Sequence, residues 1–305
     1  MKNIAYIAFA VLGLIWGTNF LFMKWALHLI SPTQAVLLRV LFGFLPILAF
    51  ALWRRALSWS HLRHAHHFVV MALLATAVYY WAYAKGTVLL LSSVAGLLSG
   101  AIPLFTFICA WLFLREERLN ARMAAGVVTG FLGILLIARP WEVGDTAISL
   151  EGVAYMAFGS VSVGSSFVYA RRYLTGLGLS PWALCTYQMG FALLILLAVT
   201  DLNGIEHIAD SRQALLGISL GMGLGGTGLA YMLYYFIVER LGAVVAASST
   251  YIPPLVALVM GVAFAGDPFH LSALAGIAAV LGGVFILQSG RKLAQRKVAQ
   301  AGANG

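Results

Sequence analysis

The chain is 305 residues long, 62% hydrophobic and only 10% charged, with a formal net charge of +9. Soluble domains carry about 25% charged residues, so this chain has too little polar surface to fold as one in water. The basic excess does not read as a nucleic-acid-binding patch either, because it is spread over short connections between apolar segments.

In chain order the apolar segments fall at about 4–27, 33–53, 67–91, 92–114, 122–138, 150–170, 180–200, 214–238, 243–265 and 270–288. Each approaches the length of about 20 residues with which an α-helix crosses a bilayer. The predicted fold class is therefore an all-α, multi-pass membrane protein of ten transmembrane helices, with the lipid bilayer as a partner. The first segment runs from Ile4 to Leu27, interrupted by Trp16, Thr18 and Asn19. It exceeds the apolar core of about 7–15 residues of a signal peptide and shows no small-residue cleavage site, so it reads as a retained span. Leu91-Ser92 separates the third segment from the fourth. Cys109 and Cys185 lie inside the fourth and seventh segments and read as small buried hydrophobes rather than a disulfide or a metal pair.

Connections carry the orientation signal. With the N-terminus placed inside, all of the 19 Lys and Arg residues except Lys24, Arg39, Lys85, Arg139 and Arg212 fall on the cytoplasmic side. The positive-inside rule then predicts that both termini are cytoplasmic.

The two halves also repeat each other. Pro103 and Pro253, Gly126 and Gly276, Gly133 and Gly283, and Glu117 and Asp267 recur about 150 residues apart. Ser31-Pro32 answers Ser180-Pro181, and Gly17-Thr-Asn-Phe20 answers Gly164-Ser-Ser-Phe167. The basic turn Arg115–Arg122 corresponds to Gly266–His270, which has no Lys or Arg. Five spans per copy is an odd number, so the second copy must enter the membrane from the opposite side. Residues 1–141 and 142–290 are thus read as inverted five-helix repeats of one membrane domain, and 291–305 as a basic cytoplasmic tail. Inverted repeats place a substrate site near the midplane, where alternating access opens it to each face in turn.

Glycines spaced four apart, as in Gly13-xxx-Gly17, Gly96-xxx-Gly100 and Gly126-xxx-Gly130, predict faces where helix backbones approach closely. Gly17, Gly100, Pro103, Pro253 and Pro254 are candidate hinge or gating positions, since a proline inside a helix frees a carbonyl and permits a kink.

The runs Leu14–Phe20, Ser93–Leu104 and Leu112–Leu119, together with Arg39 and the second-half echo Ala246–Pro268, resemble the drug/metabolite transporter superfamily. Within it they are similar to the EamA-type ten-helix transporters, over residues 4–288. The aromatic richness and layout are similar to YddG-type amino-acid exporters of the bacterial inner membrane. The resemblance implies a secondary transporter of small metabolites: amino acids, including aromatic ones, or else another metabolite, drug or lipid-linked molecule. This chain departs from the common pattern where Arg115-Glu116-Glu117 stands for the usual Gly-Glu.

Polar and aromatic groups inside spans are costly without partners, so their positions point to a cavity. Trp16 and Asn19 share a face of the first span. Tyr79, Tyr80 and Tyr83 form a stripe on the third, and Ser99 lies on the small, polar face of the fourth. In the second repeat Ser166, Gln188, Tyr231, Tyr234 and Tyr251 match in kind. Aromatic rings and hydroxyls around a cavity suit a zwitterion with an apolar side chain, such as an amino acid. The first aromatic cluster is predicted toward the outside and the second toward the cytoplasm. Arg39 lies too deep for cheap exposure and is a candidate for a substrate carboxylate or for bracing helix ends.

All Asp and Glu residues fall at span ends or in connections, and no histidine is embedded. Proton-coupled carriers commonly hold such a group in the pathway, so facilitated transport or exchange is expected. No phosphate-binding Gly-x₄-Gly-Lys motif points to an ATP-driven pump. The loop tract His61-x₂-His64-x-His66-His67 is the one dense group of metal-binding side chains and reads as a solvated loop; an enzyme is not expected. No charged ring or filter motif supports a channel. No metal or cofactor is anticipated; the expected partner is a small-molecule substrate, no nucleic acid is expected, and no segment speaks for or against a homodimer.

Overall fold

The computed structural model describes residues 2–114, 120–139, 141, 148–242, 245–246 and 249–303, with side chains from Asn3 to Gly290. The turn Arg115–Leu119, with Glu117, and Ser248 at the start of the ninth span lie outside the described residues. No β-strand occurs among the described residues. Among the described residues, nine helices are long and apolar enough to span a bilayer. They are α1 (Asn3–Leu27), α2 (Pro32–Trp53), α3 (Trp59–Leu89), α4 (Ser92–Phe113), α5 (Ala121–Ala138), α6 (Leu150–Leu177), α7 (Pro181–Val199), α8 (Arg212–Leu241) and α10 (Leu271–Gly290). Between the last two lies the shorter apolar helix α9 (Ser249–Phe264). Beyond Gly290, α10 continues to Ala303 and carries the basic tail.

Local sequence sets where the helices begin. Ser31 and Ser180 cap α2 and α7, each followed by a proline at the first helical position, where no backbone N–H is missed. Gln34 completes a capping box on α2, accepting from Ser31 N at 2.9 Å. Its Nε2 also donates to the carbonyls of Asp201 and Asn203, both at 2.8 Å, tying the start of α2 to the end of α7. Gln34→Ala removes half of the capping box and two bonds between the halves, and is expected to cost about 1–2 kcal/mol. The check is the unfolding midpoint in detergent, with Thr33→Ala, a partly buried neighbour, as the reference.

Helix packing has the symmetry of an exchange of halves. Helices α2 and α7, α4 and α9, and α5 and α10 pack as equivalent pairs. Helix α1 packs on α8 and α9 as α6 packs on α3 and α4. Equivalent helices run antiparallel: Gln34 meets Asp201 while the Phe50 ring packs at a tilt against Trp182, with centres 4.4 Å apart. A Cβ on Gly126 would lie 2.6 Å from Gly283 O, and one on Gly133 would lie 2.6 Å from Gly276 O. Those two contacts are each other's image under the 150-residue offset. Gly17 faces Val256 and Gly164 faces Thr106, again equivalent positions. The repeated glycines therefore recur because both copies need backbone contact at the same places.

This packing puts the start of α1 and the end of α10 at one end of the bundle, here called the terminal face; the other is the distal face. Two helices are interrupted near mid-depth. In α4 the helix stops at Ser99 and resumes at Ile102, with Gly100 at the break and Pro103 in the first turn of the new segment. In α9 a short 3₁₀ turn, Ser249–Tyr251, precedes a helix that starts on Pro253 and Pro254. The prolines thus open new helical segments rather than bending continuous ones, which a ring lacking an N–H does at no hydrogen-bond cost. Helices α3 and α8, equivalent in the two halves, carry wider π-helical turns over Leu73–Ala77 and Gly217–Leu229.

Candidate functional site

Four helices from both halves converge on Arg39. Its guanidinium carbon sits 3.8 Å above the centre of the Tyr80 ring, and its Nε donates to Thr227 Oγ1 at 3.3 Å. No carboxylate partners it among the described residues. An arginine inside a bilayer span without an anion is costly, and its remaining N–H groups are available donors. Thr227 is held in place by donating to Met222 O at 3.0 Å along the π-helical turn of α8.

Asn19 reaches the same locus from α1. It lies against Gly226, the residue before Thr227, where any Cβ would collide with its amide. Asn19 is 6% exposed, and its Oδ1 has no hydrogen-bond donor. A buried, unpaired amide oxygen costs about 1–3 kcal/mol, so it is an acceptor waiting for a donor.

Aromatic rings enclose this polar pair. Tyr79 packs against Tyr80 and Tyr83 with ring centres 5.1 and 4.6 Å apart. Tyr83 touches Phe20 and shares a 3.0 Å hydrogen bond with Ser160. Tyr231 lies within electrostatic reach of Tyr80 and Arg39, and Tyr79 and Tyr231 pack on one hydrophobic core. Tyr79 and Tyr80 of one tyrosine group and Tyr231 of the other, predicted toward opposite sides, therefore meet near Arg39. Trp16 contacts Tyr234, which contacts Tyr235, at 6.2 and 5.8 Å.

Other candidates lie apart or are already satisfied. Gln188 donates to Thr76 Oγ1 at 2.9 Å, beside the π-helical turn of α3. Ser99 and Ser166 donate to carbonyls of their own helices, Gly96 O at 2.6 Å and Val163 O at 2.7 Å. The Tyr251 hydroxyl pairs with the Gln288 amide of α10. Gly17 and Gly100 are packing positions, against Val256 and Pro254. His67 shares a 2.7 Å bond with Tyr169, and no group of three or more His, Cys, Asp or Glu among the described residues is arranged to hold a metal.

Sequence reasoning missed Thr227 as a member of the site and placed Tyr80 in the tyrosine stripe without singling it out as the ring beneath Arg39. Thr227 is the single polar residue of Gly221–Gly228, a signal that could have marked it. Nothing local marks Tyr80 above its neighbours; only the arrival of α2 selects it. The burial of Asp267 in a connection, at 7% exposure, was likewise not anticipated.

Comparison with known proteins gives consistent matches. The model of the EamA-like transporter family matches residues 3–139 and again 150–289. The uncharacterized transporter YdfC of Bacillus subtilis is 28% identical over 271 residues, covering 88% of this chain and 86% of that protein. A riboflavin transporter of Brucella anthropi is 41% identical over 121 residues, 40% of this chain and 39% of its own. A chain of a solved crystal structure superposes with a TM-score of 0.59 at 19% identity, covering 95% of this chain and 99% of that one, which speaks to fold alone.

Proposed function

The chain belongs to the EamA-like transporter family, and from that premise we propose that this multi-pass membrane transporter carries amino acids, including aromatic ones, by alternating access at the Arg39 site. The observation that carries the reading is the pairing of two unmet groups: a guanidinium without an anion and a buried amide oxygen without a donor. They are linked through the adjacent residues Gly226 and Thr227. A carboxylate on Arg39 and an ammonium on Asn19 Oδ1 satisfy both. The apolar side chain then lies among Tyr79, Tyr83, Trp16 and Tyr231, which offer ring faces and edges. Both termini are cytoplasmic in this reading, by the charge distribution. Breaks at Gly100 and Pro103 in α4 and at Pro253 and Pro254 in α9 serve as equivalent hinges. No carboxylate or histidine adjoins Arg39 among the described residues, which supports facilitated transport or exchange.

A flavin is the second reading. It is supported by the partial match to a riboflavin transporter and by tyrosine faces on which a planar heteroaromatic ring stacks. Counterflow in proteoliposomes separates the two, using labelled phenylalanine, tryptophan, threonine and riboflavin, with and without a pH gradient. Saturable amino-acid counterflow without dependence on the pH gradient is the expected result. Saturable riboflavin counterflow with no amino-acid signal would replace the first reading by the second.

A further inference from the structure

Two charged side chains grip the turn between α3 and α4 on the distal face. Lys24 of α1 donates from Nζ to Thr87 O at 3.0 Å, Val88 O at 3.3 Å and Leu90 O at 2.8 Å. These are among the carbonyls that α3 leaves unpaired where it ends. Asp267, in the connection from α9 to α10, accepts through Oδ2 from Ser93 N at 2.8 Å and from Ser92 Oγ at 3.0 Å. It thereby caps the first turn of α4. A cation stands at a helix C-terminus and an anion at a helix N-terminus, the arrangement that backbone dipoles favour. The two charges also attract each other.

The approach is built into the fold. Gly261 leaves room for it, since a Cβ there would lie 2.5 Å from Asp267 Oδ2 and 2.7 Å from Ser93 Cβ. Asp267 is buried although it belongs to a connection, and it links the second half to the first. The grip also adjoins the site: Thr87, whose carbonyl binds Lys24, donates through Oγ1 to Tyr83 O at 2.8 Å.

We propose that Lys24 and Asp267 form a distal latch that holds the transporter closed on this face, and that opening requires Asp267 to leave Ser92 and Ser93. The proposal rests on alternating access but not on the identity of the substrate. In the closed form, removing one partner leaves buried groups unmet; in the open form water replaces that partner. Each truncation therefore destabilises the closed form alone.

Spin labels at Leu89 and Phe269, both exposed on the distal face, report the separation in a background carrying Cys109→Ala and Cys185→Ala. Asp267→Ala is expected to raise the ratio of long to short distances about tenfold, and Ser92→Ala about threefold. Lys24→Met shifts the distribution in the same direction. Unchanged distances in folded Ser92→Ala and Lys24→Met would overturn the latch, including where Asp267→Ala does not fold. Transport by the same variants tells the two readings apart. Saturable transport with unchanged distances leaves the carrier and removes the latch. Shifted distances with no transport of the tested compounds leave the latch and remove the substrate assignment.

Discussion

Arg39→Gln is expected to reduce saturable amino-acid transport by about 100-fold or more while leaving the protein folded. Two charge-assisted hydrogen bonds from a guanidinium to a carboxylate are together worth about 3–5 kcal/mol in a partly desolvated site. Glutamine keeps a polar group facing Thr227 but offers no charge and no fork of donors. Folding survives because Thr227 keeps its bond to Met222 O and Tyr80 keeps its packing against Tyr79. Loss of an uncompensated cation also relieves a burial cost in the empty protein, so the unfolding midpoint is expected to hold or rise. Arg39→Lys retains the charge as a single point and is expected to fall between the two. Initial rates in proteoliposomes and thermal unfolding in detergent check both parts. Unimpaired transport by Arg39→Gln would remove the guanidinium from substrate binding, and unfolding would assign it to bracing the helices.

Gly283→Ala is expected to cost about 3 kcal/mol or more and to collapse the yield of folded protein, whereas Gly282→Ala is expected to be neutral. A Cβ at Gly283 would meet Gly130 N at 2.5 Å and Gly126 O at 2.6 Å, both backbone atoms that no rotamer change can move aside. At Gly282 nothing lies within 4 Å, and alanine favours the helix. Helices α5 and α10 would have to separate along their contact, losing dispersion over its length. The inverted repeat predicts the same penalty at Gly133, where a Cβ would meet Gly276 O and Val280 N at 2.6 Å. Gly130 differs, since its obstacle is the Leu104 side chain, which can yield. Folded yield and the unfolding midpoint of the four alanine variants measure this, and equal behaviour of Gly282→Ala and Gly283→Ala would defeat it.

Much of this molecule was legible in the chain, and the reasons are specific. Apolar segment length marked nearly every helix, because a bilayer admits only helices whose backbone groups bond internally. The 150-residue recurrence of Gly126, Gly133 and Pro103 marked the two halves, because both copies need the same close contacts. Arg39 stood out through its charge, and Asn19 through its polarity within an apolar run. Their partners were not legible. Tyr80, Thr227 and Gly226 come from distant segments, and only the crossing of α1, α2, α3 and α8 places them around Arg39 and Asn19. Ser99 and Ser166 look as available in the sequence as Asn19 does, yet each spends its hydroxyl on its own helix. A side chain's bonding to the preceding turn depends on its rotamer and surroundings, which residue type leaves open.

Asp267 marks the same boundary. By itself the sequence determined the membrane class, the helices, the duplication and the expected sidedness, because each follows from local hydropathy, spacing and charge. The tertiary structure decided that a carboxylate in a short connection is buried against Ser92 and Ser93, opposite Lys24 at the end of α3. It likewise decided that Arg39 and Asn19 face one locus with valences unmet. The physical reason is common to both: a buried polar group takes its meaning from the partners that the fold brings to it.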